Sequence, residues 1–154
     1  MKKNIIFILW VGAAMITSCG GAANRSGRSD SKEDHANTIQ MTTADFLKVV
    51  FDYESNPEEW IYLGDKPALI DFYADWCAPC KIVAPILEEL AGVYAGEIYV
   101  YKVDTERERE LAAVFGITAI PSLLLIPMDE FPQMIRGAQP REVLVELIEE
   151  FLLQ

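Results

Sequence analysis

The segment Trp76-Cys77-Ala78-Pro79-Cys80 constrains this chain more than any other, because it follows directly on the apolar run Ala68-Leu69-Ile70-Asp71-Phe72-Tyr73. Two cysteines with two spacer residues, placed where a strand hands over to a helix, form a unit suited to thiol–disulfide exchange. Cys77 falls in the opening helical turn, where unpaired backbone N–H groups and the helix dipole favour a thiolate. Cys80 lies one turn further on, close enough to close a disulfide or to attack a mixed one.

The remaining composition narrows the chemistry. With 154 residues, 51% of them apolar, the chain can build one domain of ordinary size whose core needs no disulfide framework. Its cysteines are Cys19, Cys77 and Cys80, and its one histidine, His35, is far from the pair in sequence. A structural zinc site takes four such ligands, so neither a metal nor any other cofactor is expected. The formal net charge is −11; loss of Lys2 and Lys3 with a cleaved leader would leave 11 basic against 24 acidic residues, or −13. That balance argues against nucleic acid or an anionic membrane as a partner through a basic face, and the acidity is read as serving solubility.

The first eighteen residues read as an export signal. Lys2-Lys3 precede an apolar run over 5–16 that is too short to span a bilayer, for which about 20 residues are needed. The run ends in Ile16-Thr17-Ser18-Cys19-Gly20, which resembles a bacterial lipobox, a signal in which lipid is attached to the cysteine and that cysteine becomes the new N-terminus. Thr17 is the looser match. An ordinary secretory signal cut after Ala22 or Ala23, with Cys19 discarded, is the competing reading. Residues 20–37 hold no hydrophobic period and too little apolar surface to order themselves. As a flexible coil they would span about 25 Å end to end, enough to tether a domain near a membrane. The expected organisation is a lipoprotein signal over 1–18, the lipidated Cys19 and tether over 19–37, and one domain over 38–154.

Within that domain, 38–41 reads as a short edge strand. Thr43 is placed to cap a helix over 44–52 with Phe46, Leu47, Val50 and Phe51 on its apolar face. Asn56-Pro57 breaks it, and over 58–64 Trp60, Ile61 and Leu63 are expected to cover the core. Pro67 introduces the buried strand, and a long helix over 77–94 follows, with a kink expected at Pro85. A second strand is predicted over 97–103 and a helix over 106–115, ended by Gly116. Its charged start offers Glu106–Arg109 and Arg107–Glu110 pairs at helical spacing and is read as a solvated face. Residues 122–126 and 131–136 form an antiparallel pair, and a last helix runs over 140–153. Pro140 belongs to its first turn, and Leu144, Leu147, Ile148 and Phe151 are its buried stripe. This order predicts a single α/β domain, a central mixed β-sheet flanked by helices on both faces.

Several separated segments now carry a resemblance. Asp71-Phe72-Tyr73-Ala74-Asp75-Trp76-Cys77-Ala78-Pro79-Cys80-Lys81, Pro85, Lys102-Val103-Asp104, Gly116-Ile117-Thr118-Ala119-Ile120-Pro121-Ser122 and Arg136-Gly137-Ala138 occur in the order of the thioredoxin family. The chain resembles that family over about 38–153, the whole domain, which implies the thioredoxin fold. By that resemblance Cys77 is the attacking nucleophile, expected to be exposed, and Cys80 is the resolving cysteine, pointing back toward the sheet. Asp71 is the one charged residue of its strand; burial should raise its pKa and suit it to exchange a proton with Cys80. The alternative is a tolerated, partly hydrated acid. Lys102 matches the lysine beside this aspartate, although alone it would read as a snorkelling surface residue.

The resemblance further implies a cis Ile120–Pro121 bond that presents backbone groups of Ile120 to an extended substrate. Trp76, Ala78, Pro79, Ile120, Gly137 and Ala138 would line a shallow docking surface. The chain also departs from the family pattern. Ala78 stands for the commoner glycine, Tyr73 for a frequent tryptophan, and Ser122 for a threonine after the proline. Arg136 stands where a small apolar residue is usual; it either selects acidic partners or points to solvent.

The function this predicts is a thiol–disulfide oxidoreductase that reduces disulfides of exported proteins. It would be periplasmic, held to a membrane through lipid on Cys19, and supplied with electrons by a donor such as a membrane relay. Pro79 is the spacer of the family's reductants, whereas a histidine there could stabilise the thiolate and raise the potential. The same site could serve a thiol oxidase or disulfide isomerase. A non-catalytic binding module is the alternative of another class, and it would survive replacement of Cys77 by serine. Delivery of Cu(I) would call for methionine or histidine beside the dithiol, and none adjoins it.

Overall fold

The structure, a computed structural model, describes residues 37–154, so the leader, Cys19 and most of the tether lie outside the described residues. The described residues form β1 (Ile39–Gln40), α1 (Thr43–Val49), β2 (Ala68–Tyr73), α2 (Ala78–Val93), β3 (Tyr99–Asp104), α3 (Arg109–Val114), β4 (Ser122–Ile126), β5 (Gln133–Arg136), α4 (Arg141–Leu147) and a π-helical turn, Ile148–Leu152. The strands make one sheet in the order β1-β3-β2-β4-β5. β1 and β2 run parallel to β3, and β4 is antiparallel to both β2 and β5. This is the mixed sheet of the thioredoxin fold.

Alternation of side chains along each strand gives the sheet two cores. Ala68, Ile70 and Phe72 of β2 pack with Phe46, Val50 and Leu111 on one face. Leu69 packs with Val83, Leu87, Leu90, Leu144 and Ile148 on the other. Each fully buried Leu or Phe contributes about 1.5–3 kcal/mol, so the fold is held by these cores and a disulfide at its edge is free to open. By the same alternation Asp71 falls on the α2 face, in register with Lys102 of β3 and Leu123 of β4.

Several local expectations are corrected. Thr42, not Thr43, caps α1: its Oγ1 accepts the Asp45 N–H while Asp45 Oδ2 accepts the Thr42 N–H, each at 3.2 Å. Thr43 instead donates its N–H and hydroxyl to Glu108 at 2.8 and 2.6 Å. That engagement removes Glu108 from any capping role of its own, and α3 starts at Arg109 rather than 106. Neither predicted ion pair of α3 forms. Arg107 reaches back to Asp104 at 3.3 Å, and Arg109 Nε donates to the Glu106 carbonyl at 3.1 Å.

The helix of α1 stops early because Phe51 turns aside to pack at a tilt against Trp60, ring centroids 4.5 Å apart, and Leu63 N–H bonds the Val50 carbonyl. Along this segment Trp60 and Tyr62 pack on the core, while Ile61 and Leu63 are exposed. An extended backbone sends neighbours to opposite sides, so only alternate residues of 60–63 can cover it. β5 starts at Gln133, not 131, since Pro132 has no N–H for the ladder. Pro140 occupies the N-cap position before α4, and the π-helical turn that follows brings Leu144, Ile148 and Leu152 inward, leaving Leu147 and Phe151 half-buried.

Candidate active site

β2 delivers the chain to the dithiol and α2 receives it. Ala74 accepts the Cys77 N–H at 3.1 Å, closing a turn that sets Cys77 at the N-cap of α2. Cys77 Sγ accepts the Cys80 N–H at 3.2 Å, the bond a serine or aspartate would make at an ordinary helix start. Pro79 lies in the first helical turn, where its missing N–H leaves no helical bond unmade. Cys77 and Cys80 are joined in a disulfide, with Cα atoms 5.3 Å apart.

The expectation of an exposed Cys77 does not hold in this oxidised state: Cys77 is 2% and Cys80 3% exposed. Ala74, Tyr73 and Ile120 pack around the pair, so the disulfide is covered. What projects instead is the rim, Trp76 at 67% exposure with Ala78 and Pro79 beside it.

Behind the disulfide, Asp71 is fully buried, and neither carboxylate oxygen has a hydrogen-bond partner among the described residues. Burial pushes its pKa up to about 7, against a smaller opposing pull from Lys102. A cavity of about 150 Å³ joins Asp71 to Cys80, with Lys81 and Lys102 on its walls. Lys102 is thus brought to the aspartate, but its Nζ sits over the Tyr73 ring, 4.8 Å from the centroid. Sequence reasoning missed Tyr73 as the ammonium's platform. Tyr73 lies two residues beyond Asp71 on β2, and only the pairing of β2 with β3 brings Lys102 to its ring, which no local pattern records.

The second wall comes from the loop before β4. The Ile120–Pro121 bond is cis, Pro121 is buried, and Ser122 Oγ donates to the Ala119 carbonyl at 2.7 Å. Gly137 donates its N–H to the Pro121 carbonyl at 2.8 Å and adopts φ +86°. A Cβ there would meet nothing within 4 Å, so the backbone angle alone calls for glycine. Ala138 is exposed beside it. Trp76 and Ile120 also share a groove with Thr105, Arg109 and Thr118, three residues that the sequence had not attached to the site. Cys19 lies outside the described residues.

A cysteine pair that closes across one helical turn can gain or lose two electrons without disturbing the cores beneath it. Fold and site therefore define a thiol–disulfide oxidoreductase. Residues 38–150 match the sequence model of the thioredoxin family. The thioredoxin of Borreliella burgdorferi is 42% identical over 113 residues, covering 73% of this chain and 96% of that protein. Thioredoxin 1 of Nostoc sp. is 35% identical over 113 residues, 73% of this chain and 95% of its own. The M-type chloroplast thioredoxin of Spinacia oleracea is 33% identical over 125 residues, 80% and 69% of the two chains. The chain belongs to the thioredoxin family.

Proposed function

We propose that this protein reduces disulfides of exported proteins. Cys77 thiolate attacks one sulfur of a substrate disulfide, forming a mixed disulfide and releasing the first substrate thiolate, which takes a proton. Cys80 gives up its proton toward Asp71 through the cavity between them, then attacks Cys77 Sγ. The second substrate thiol leaves and the Cys77–Cys80 disulfide closes; two electrons have passed from the protein to the substrate. An external dithiol, such as a membrane relay, restores the pair. Lys102 moderates the charge at Asp71, and substrate lies across Trp76, Ala78, Pro79, Ile120, Pro121, Gly137 and Ala138.

What supports the reductive direction is that the spacer adds nothing to the stabilisation a Cys77 thiolate has from the helix start and the Cys80 N–H: Pro79 removes one first-turn donor, and neither Ala78 nor Pro79 carries a cation. A reduced form that is not over-stabilised gives up electrons readily. Equilibration of the domain with a glutathione series should place the couple near −270 mV, about the value associated with thioredoxin. A result between about −180 and −120 mV would assign an oxidant or isomerase instead.

The address belongs to the same proposal. The family match begins at residue 38, and the export-signal pattern over 1–18, the lipobox-like segment ending at Cys19 and the polar run after it support a periplasmic, membrane-anchored lipoprotein. Cells fed an alkyne-tagged fatty acid should label the wild-type chain, and Cys19→Ala should lose both label and membrane association. Label retained in Cys19→Ala, or absent from the wild type, would rule lipidation out.

A further inference from the structure

Arg136 ends β5 exposed to solvent and stands in register with Ser122, the residue after Pro121. Its backbone is fixed there. Gly137 bonds the Pro121 carbonyl, and Gln139 Nε2 donates to the carbonyls of Arg136 and Gly137 at 3.4 and 3.3 Å. The other described arginines are engaged: Arg107 pairs with Asp104, Arg141 with Glu89, and Arg109 donates to the Glu106 carbonyl. Among the described residues no carboxylate pairs with Arg136.

Its placement matters because of the groove of about 350 Å³ beside Ile120, which Trp76, Ala112, Ala113 and Ile117 line together with Thr105, Arg109 and Thr118. Arg109 is tied to the Glu106 carbonyl, whereas Arg136 stands next to Pro121 without a carboxylate partner among the described residues, so an extended segment crossing Ile120 and Pro121 would meet its guanidinium. A guanidinium presents a planar fork of donors that matches a carboxylate and has no use for an apolar or cationic side chain.

We propose that Arg136 determines specificity by favouring disulfide substrates with a carboxylate beside the cysteine that Cys77 attacks. This rests on the dithiol-exchange reading above. Two electrostatic effects compete. The net charge of −11 draws cationic substrates from a distance, but at 0.15 M salt such fields fade beyond about 8 Å. Arg136 acts at contact, where an exposed ion pair changes an equilibrium by about two- to fivefold. At physiological salt the contact wins.

The test uses two synthetic disulfide peptides that differ only in Glu or Lys next to the disulfide cysteine, reduced by the mature protein at 0.15 M salt. The wild type should favour the Glu peptide in kcat/KM by about two- to fivefold. Arg136→Glu should reverse the preference and Arg136→Lys should keep most of it. Lys48→Glu makes the same change of net charge at an exposed position of α1 that lines neither the Asp71 cavity nor the groove, and should leave the ratio unchanged. An unaltered ratio in Arg136→Glu, or an equal shift in Lys48→Glu, overturns the inference while the dithiol reading stands. No reduction of either peptide by the wild type overturns the dithiol reading, and the inference falls with it.

Discussion

Cys77→Ser should lower disulfide reduction by about a thousandfold or more, because a serine hydroxyl stays protonated at neutral pH and the nucleophile of exchange is a thiolate. Cys80→Ser should behave differently. With Cys77 intact the first attack still occurs, but nothing displaces the product, and the protein stalls after one equivalent as a mixed disulfide. Mass spectrometry of Cys80→Ser after one exposure to substrate should show the added mass of half the substrate, on Cys77. Neither variant should unfold, since both residues sit at the margin of the two cores. Full turnover by Cys77→Ser would remove the catalytic role of the pair.

The second large effect is thermodynamic. Asp71 titrates near 7 when folded against 3.8 for the ordinary group, so between these values the folded chain holds a proton that the unfolded chain has lost. Stability therefore falls as pH rises from about 4 through 7. Above 7 the whole cost of an ionised, unpartnered carboxylate applies, about 4 kcal/mol at 1.36 kcal/mol per pH unit. Asp71→Asn removes the titration. Urea unfolding of the disulfide form should show the variant gaining on the wild type by about 2.5 kcal/mol between pH 5 and pH 8. Any fixed cost of the buried amide appears at both pH values and cancels in that comparison. A gap that does not change with pH would mean Asp71 is hydrated and titrates normally. On the proposed mechanism the same substitution should also slow the Cys80 step.

How far the sequence could be read depended on which interactions decide each element. β2, α2 and β4 are specified locally, by an unbroken apolar run, a proline in the first turn and a hairpin, and they lie within a residue of expectation. Elements decided by distant partners were misread. Thr43 could not be seen to serve Glu108, 65 residues away, so the cap was placed on it and α3 was begun too early. Trp60, Ile61 and Leu63 share hydrophobicity but not a face, and only the Phe51–Trp60 contact and the Leu63–Val50 bond reveal the segment's phase. In the site, Asp71 was legible because a lone acid in a buried strand has few explanations. The covering of Cys77 was not, since it depends on Ile120 folding over from a loop more than forty residues away. Lys102 stands in register with Asp71, but its seat over Tyr73 follows from a strand pairing that no local pattern records.

The two ends of the sheet bear on how such a protein survives its own clients. β1 has only two residues and β5 four, the latter preceded by Pro132. A longer bare strand there would offer a template on which partly unfolded chains could polymerise. Edges this short give an arriving chain little to extend, which lowers the risk that the sheet itself seeds aggregation.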